Sequence, residues 1–156
     1  GAGLAVGDIV VADGLVQHDF DAAPIGFVRG CLCMGDPGAP TVFTPDEPLS
    51  ALLARTAGDA AGAQRVHRGL IATGDQFISG AAAKAALRSA FPSAMAAEME
   101  GGAVAQAASM SGVPFAVVRA ISDLADGTAA ASFEQFEQRA ADISARAVMQ
   151  VLALLD

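Results

Sequence analysis

The sequence predicts an α/β protein with a mixed central sheet flanked by helices. Short β-rich runs alternate with segments of helical periodicity, a pattern typical of this class. The run PFAVVRAISD (114–123) is continuous and rich in valine, as expected of a strand that is covered on both faces. A length of 156 residues with 53% hydrophobic content suits a single domain over residues 1–156 with one compact core.

The first half of the chain predicts two strands, a long loop and a helix. DIVVAD (8–13) and LVQHDFD (15–21) are strand-like. From Phe27 to Pro48 glycine and proline are frequent and no period is sustained, which indicates a long loop. Two acidic residues and a proline at 46–48 are typical of a first helical turn, so a helix is predicted over 49–62.

The second half predicts two strand and helix pairs, the strand 114–123, and a long last helix. VHRGLIATG (66–74) precedes the helix SGAAAKAALRSAF (79–91), and SAMAAEME (93–100) precedes the helix GGAVAQAASMSG (101–112). The last helix is predicted to start at an S-x-x-Q capping box, Ser132 to Gln135. Apolar residues then recur at helical spacing: Phe136, Ala140, Ile143, Ala147, Val151 and Leu154.

Composition and charge exclude several classes of function. The formal net charge of −8, without any cluster of lysine and arginine, argues against nucleic acid or a membrane surface as a partner and favours a small molecule. No apolar run approaches the roughly 18 residues of a spanning helix, and the first residues lack the basic flank of a signal peptide, so a cytoplasmic protein is expected. Cys31 and Cys33 cannot by themselves form a disulfide framework or a four-ligand zinc site, so we predict no metal and no cofactor.

Polar side chains follow three of the predicted strands. Ligands of open α/β sheets bind outside the carboxyl ends of the strands, so these side chains are expected to converge on one crevice. The alternative is that they cap the following helices or interact with the helix dipoles. They are Asp75 and Gln76, Glu98 and Glu100, and Ser122, Asp123 and Asp126.

Three segments resemble signature segments of the 5′-methylthioadenosine/S-adenosylhomocysteine nucleosidases, within the nucleoside phosphorylase/hydrolase superfamily. They are GLIATGDQFISG (69–80), AAEMEGGAVAQ (96–106) and VPFAVVRAISDLAD (113–126), and VGDIVVADGLVQHDFDAAPIG (6–26) is similar to the family's strand and following loop. The resemblance implies a three-layer architecture and hydrolysis of the bond between adenine and ribose. It also implies a nucleoside as substrate and a homodimer as the assembly.

The resemblance assigns catalytic work to the RAISD segment. Asp123 is expected to protonate the purine at N7, which makes adenine a neutral leaving group, and Ser122 is expected to orient that aspartate. Arg119 is expected to face the water side of the site; the alternative is a structural ion pair with a carboxylate. The glycine pair Gly101 and Gly102 is expected to let the start of a helix approach the site closely.

The remaining site residues bind the sugar and the base. By resemblance, Glu100 accepts hydrogen bonds from the ribose hydroxyls and Met99 lies against the sugar. Phe77 is expected to stack on adenine, with a core phenylalanine as the alternative, and the backbone of Ile78 to read the purine edge. We expect Glu98 to point to the face opposite Glu100, so we predict that Glu98 is a structural partner.

The resemblance does not extend to the family's N-terminal segment, which carries the first strand and the glutamate that activates water. We therefore expect the sequence beginning at Gly1 to be N-terminally incomplete and its activity to need that segment. No carboxylate in residues 1–156 matches the water-activating glutamate.

Other interpretations stay open. The chain could be a non-catalytic purine-nucleoside binder, a futalosine hydrolase or a nucleoside phosphorylase; the lack of a basic cluster for phosphate favours water as the acceptor. His18 is interpreted as a satisfied structural histidine outside the catalytic set. The loop from His18 to Phe27 is expected to lie at the dimer contact, with Ile25 and Phe27 covered by a second copy.

Overall fold

The computed structural model describes residues 3–122 and 129–155; the side chains at 64, 129–137 and 139 are not among the described ones. Within these ranges there are five strands: β1 (Ile9–Gln17), β2 (Val42–Phe43), β3 (Val66–Thr73), β4 (Ala94–Glu98) and β5 (Val118–Ala120). The α-helices are α1 (Glu47–Ala61), α2 (Ala81–Ala90), α3 (Gly101–Met110) and α4 (Ala129–Leu155). Short 3₁₀ helices cover Ala23–Ile25 and Ala63–Arg65.

The strands form one mixed sheet with β1 at its centre. The order is β2-β1-β3-β4, and β5 also pairs with β1. Strand β1 is parallel to β3, and β3 is parallel to β4, whereas β2 and β5 are antiparallel to β1. The sequence predicted a mixed sheet flanked by helices, and this architecture is what the structure has.

Alternate residues of β1 serve two separate parts of the core. Val10 and Ala12 belong to the same cluster as Ala105 of α3, whereas Ile9 and Val11 belong to the cluster that includes residues of α1 and α4. This is the period of two expected of a strand with both faces covered, and each fully buried aliphatic side chain contributes roughly 1.5–3 kcal/mol. The sheet therefore lies between α3 on one face and α1 with α4 on the other, which gives three layers.

The helix starts follow the capping rules in one case and not in another. The side chain of Asp46 accepts a hydrogen bond from the backbone N–H of Leu49 at 2.9 Å, so Asp46 is the N-cap of α1. Helix α4 begins at Ala129, three residues before the N-cap that we predicted at Ser132. That predicted start is wrong, and the side chains of the capping box lie outside the described residues.

Three strand predictions also need correction. The segments 8–13 and 15–21 form parts of one continuous strand, β1, whose register against β3 shifts between Ala12 and Gly14. The long loop 27–48 contains the two-residue strand β2, which pairs with β1. Strand β5 has three half-buried residues and is shorter than the predicted 114–123.

Within the described ranges, no helix combines the length and the apolar character needed to cross a lipid bilayer.

Candidate active site

One cavity of about 400 Å³ opens beside the ends of β4 and β5. Six of the seven predicted site residues line it: Phe77, Ile78, Met99, Glu100, Arg119 and Ser122. The seventh, Asp123, lies outside the described residues, as does Asp126. Gln76 and Glu98 also line the cavity, whereas Asp75 does not; its backbone N–H instead binds the carboxylate of Asp19 at 2.7 Å. The convergence predicted from the polar side chains thus holds for most of them.

Two large apolar side chains at the cavity are exposed to solvent. Phe77 is 55% exposed and Met99 is 42% exposed. The alternative of a core phenylalanine therefore does not describe Phe77. Both side chains offer apolar surface to a ligand, and an aromatic face suits a planar base.

The carboxylate of Glu98 joins three elements at the edge of the cavity. It accepts hydrogen bonds from the Thr73 hydroxyl at the end of β3, from the Gly101 N–H at 2.7 Å, and from Arg119 Nε of β5 at 2.8 Å. The Glu100 N–H approaches the same oxygen as Gly101 at 3.2 Å. The sequence correctly predicted a structural partner, although the reasoning from alternation did not foresee the geometry.

Glu98 and Glu100 reach the same arginine, so the prediction that they lie on opposite faces is wrong. Arg119 Nη2 donates to Glu98 and, at 2.7 Å, to Oε2 of Glu100. Strand β4 ends at Glu98, and Glu100 has already left the extended conformation with φ −128° and ψ −34°. Side chains two residues apart on a strand point to the same face, so the period of two does not separate Glu98 from Glu100, and it agrees with the contact that both make with Arg119.

Arg119 forms the ion pairs expected of a structural arginine, and it also lines the cavity. Its two carboxylate partners among the described residues come from the same short segment, one nearly buried with 8% of its side chain exposed and the other 68% exposed. Its catalytic role stays a prediction.

The environment of Glu98 keeps its carboxylate ionised. Burial alone would raise the pKa of Glu98, but the hydrogen bonds from Thr73, Gly101 and Arg119 together outweigh burial and hold the pKa below its ordinary value. An ionised carboxylate at this position is a permanent partner for the arginine.

The glycine pair at the start of α3 is needed for contact with the sheet. A Cβ at Gly101 would lie 2.9 Å from Cδ2 of Leu15 and 3.0 Å from Oε2 of Glu98. A Cβ at Gly102 would lie 2.8 Å from Cβ of Thr73, whose hydroxyl accepts the Gly102 N–H at 2.7 Å. The close approach that we predicted is therefore an approach to Glu98 and Thr73.

His18 is buried, with 1% of its surface exposed, and does not line the cavity. Its ring packs against Gly74, but neither ring nitrogen finds a hydrogen-bond partner among the described residues. Burial lowers the pKa of His18, and Asp19 opposes this shift while Arg29 adds to it. The prediction of a satisfied histidine is wrong, since both ring nitrogens are buried without a hydrogen-bond partner among the described residues.

Two cations at the cavity escaped the sequence reasoning. Lys84 and Arg88, four residues apart on α2, line the cavity together with Arg119. The sequence has no run of consecutive basic residues, so no basic cluster is expected from the sequence alone. The spacing of four residues on a predicted helix was the available signal, since it places both side chains on one face.

Comparisons with known proteins place this geometry in context. A family model described as the Phosphorylase superfamily matches residues 1–153. The chain is 43% identical over 154 residues to the 5′-methylthioadenosine/S-adenosylhomocysteine nucleosidase of Actinobacillus succinogenes, which covers 99% of this chain and 64% of the relative. It superposes with a TM-score of 0.88 and 39% identity on the S-adenosylhomocysteine nucleosidase of Streptococcus pyogenes, crystallised in complex with 5-methylthiotubericidin, over 100% of this chain and 64% of the other.

A third protein is similar in structure. A futalosine hydrolase mutant of Helicobacter pylori superposes with a TM-score of 0.83 at 34% identity, over 98% of this chain and 64% of the other. The chain thus spans less than two thirds of the length of these relatives. The nucleoside phosphorylase/hydrolase-like fold predicted from the sequence is confirmed.

The substitution Gly102→Ala tests the contact between α3 and the sheet. Alanine favours helix over glycine by up to about 1 kcal/mol, but the clash with the β-branched Thr73 should dominate and destabilise the protein by about 1–3 kcal/mol. Urea denaturation measures the free energy of unfolding. Gly80→Ala is the matched control, because a Cβ there meets nothing within 4 Å. Equal stability of the two variants would show that α3 does not depend on this approach.

The substitution Glu98→Gln tests the ionised carboxylate through pH. Because the folded pKa lies below the ordinary value of 4.5, the charge of Glu98 contributes stability above that pH, and the contribution is lost as the pH falls through the folded pKa. Removing a buried acceptor should cost about 1–3 kcal/mol at pH 7, and this difference should shrink in acid. Glu47→Gln, which breaks an exposed pair with Arg68, should change the stability much less, because solvent screens that pair. A difference for Glu98→Gln that stays constant from neutral to acid pH would contradict the assignment.

Proposed function

This chain belongs to the phosphorylase superfamily, and we propose that it carries the base and sugar site of an adenine nucleosidase. The reaction is hydrolysis of the N-glycosidic bond of 5′-methylthioadenosine, S-adenosylhomocysteine or a related nucleoside, with release of adenine. The observation that carries the proposal is that an exposed aromatic ring, Phe77, and an ionisable carboxylate, Glu100, line one cavity of about 400 Å³. A cavity of this size suits a ligand as small as a nucleoside.

Two relatives support this class of substrate. The similar protein of Actinobacillus succinogenes is a 5′-methylthioadenosine/S-adenosylhomocysteine nucleosidase, and that of Streptococcus pyogenes was crystallised with 5-methylthiotubericidin. An adenine base would stack on Phe77 and meet the backbone of Ile78, while the sugar would lie against Met99. The ribose hydroxyls would donate to the carboxylate of Glu100.

In this proposal, the enzyme stabilises positive charge on the sugar and neutralises the departing base. The sugar becomes cation-like as the bond to adenine breaks, so it benefits from nearby carboxylates, while the departing base needs a proton. Asp123, outside the described residues, is proposed to supply that proton at N7, with Ser122 orienting it. Arg119 is proposed to face the water side, held there by Glu98.

The group that activates water is proposed to come from outside the described lining. Within the part of the chain that the structure describes, the two carboxylates that line the cavity, Glu98 and Glu100, are both bound by Arg119. The oxygens of Glu98 also accept hydrogen bonds from Thr73 and Gly101, so Glu98 is unsuited to take a proton from water.

Production of a thio-sugar and adenine would place the reaction in methionine salvage.

Phosphorolysis is a second candidate, favoured by the two cations Lys84 and Arg88 at the cavity. Phosphate dependence separates the two reactions, because a hydrolase releases adenine in phosphate-free buffer. Futalosine as substrate is supported by the similar Helicobacter pylori structure. A non-catalytic binder would bind the nucleoside without releasing adenine from it.

We further propose a homodimer in the cytoplasm. Cys31 and Cys33 are free thiols, Cys33 on the surface, which fits a reducing compartment. Ile25 is 73% exposed and Phe27 is half-buried, so the loop presents apolar surface that a second copy would cover.

The substitution Ile25→Asp tests the dimer, since a charge in an apolar contact is costly. Sedimentation of the unchanged protein at micromolar concentration should give a dimer, and the variant should shift toward monomer. A monomer for the unchanged protein would contradict the proposal.

The substitution Asp123→Asn tests the general acid. It keeps the shape but removes the proton, so adenine release from methylthioadenosine should fall by at least ~10²-fold while nucleoside binding is retained. The assay follows adenine spectroscopically in phosphate-free buffer. Near-normal turnover of the variant would remove Asp123 from the mechanism.

The substitution Glu100→Gln tests the sugar contact. Turnover of ribosides should fall strongly, by about tenfold or more, because a charge-assisted acceptor is lost. The loss should be much smaller for 2′,3′-dideoxy analogues, which offer no hydroxyl. Equal losses on both substrates would make Glu100 a structural residue.

A further inference from the structure

Four groups among the described residues donate hydrogen bonds to the Glu98 carboxylate. They are the Thr73 hydroxyl, the N–H groups of Glu100 and Gly101, and the guanidinium of Arg119. The side chain is 8% exposed, so these protein groups replace most of its water. Only an ionised carboxylate can accept from all of them at once.

Two of these contacts lead to Glu100 by separate routes. The first route is the backbone, because Oε2 of Glu98 binds the N–H of Gly101 at 2.7 Å and that of Glu100 at 3.2 Å. The second route is Arg119, whose Nη2 is shared between Glu98 and the side chain of Glu100. Glu98 thus restrains both the main chain and the carboxylate of Glu100.

We propose that Glu98 is a positioning residue that fixes Glu100 for the sugar hydroxyls, through the backbone at the start of α3 and through Arg119. This inference rests on the proposed function, in which Glu100 is the acceptor for those hydroxyls. Glu98 lines the cavity, but its oxygens are occupied by Thr73, by the backbone and by the arginine. Its charge also satisfies Arg119, which leaves Glu100 free to bind a ligand in place of the arginine.

The proposal predicts a specific binding defect for Glu98→Gln. The amide of this variant places an N–H donor against groups that are themselves donors, and it no longer neutralises Arg119. The arginine then relies on Glu100, the other carboxylate that it contacts among the described residues. Sugar hydroxyls must compete with that ion pair, so the defect should appear only for ligands that carry hydroxyls.

Binding measurements on the natural protein test this without turnover. The probe is the 7-deaza analogue of methylthioadenosine, which has no N7 to protonate, together with its 2′,3′-dideoxy form. By calorimetry, Glu98→Gln should weaken binding of the riboside by about tenfold or more and that of the dideoxy form by less than about twofold. The matched control Glu47→Gln, at the exposed Arg68 pair, should change neither.

A double variant separates positioning from a general structural role. If Glu98 acts through Glu100, the variant carrying both Glu98→Gln and Glu100→Gln should bind the riboside no more weakly than Glu100→Gln alone. Losses that multiply, or an equal loss on both ligands for Glu98→Gln, would overturn the proposal. Should Glu98→Gln fail to fold, Glu98→Asp keeps the charge and shortens the reach, and its smaller loss should again be confined to the riboside.

The proposed function is judged by a separate readout, adenine release by the natural protein. Absence of release, with the hydroxyl-dependent defect of Glu98→Gln intact, would contradict hydrolysis and leave the positioning role standing. Release of adenine, together with equal losses of binding on both ligands for Glu98→Gln, would support hydrolysis and contradict the positioning role. A protein that binds neither analogue would overturn both.

Discussion

The candidate site depends on one buried carboxylate that holds separate elements together. Glu98 ends β4, and its oxygens bind Thr73 at the end of β3, the first turn of α3, and Arg119 of β5. Because a charge with this little solvent is costly unless it is fully hydrogen-bonded, the four donors and the carboxylate must assemble together. Gly101 and Gly102 make the assembly possible, since any side chain there would collide with Glu98 or Thr73. Loss of one member therefore affects the fold and the cavity at once.

The architecture was largely predictable because the sheet and helices are encoded by local periods. The buried runs of β1 and β3 and the capped start of α1 are visible in a few consecutive residues. The errors occurred where pairing decides the structure. The register shift between Ala12 and Gly14 hides the continuity of β1, and β2 is two residues of a glycine- and proline-rich segment that become a strand only by pairing with β1.

The members of the site were predictable by resemblance, but their mutual contacts were not. The expectation that Glu98 and Glu100 point to opposite faces misapplied the strand period, which places residues two apart on the same face, and Arg119 contacts both carboxylates. Lys84 and Arg88 reach the cavity only through the placement of α2. His18 shows the same limit, since its ring is buried next to Gly74 and neither ring nitrogen has a hydrogen-bond partner among the described residues, which no pattern in the sequence indicates.

The most direct test of this account is a crystal structure of the protein with the 7-deaza analogue of methylthioadenosine bound. The account predicts the base on Phe77, the sugar hydroxyls within about 2.5–3.0 Å of the Glu100 carboxylate, and Glu98 still bound to Thr73 and Arg119. A nucleoside whose hydroxyls bind Glu98 directly, or one that lies away from Phe77 and Glu100, would contradict it.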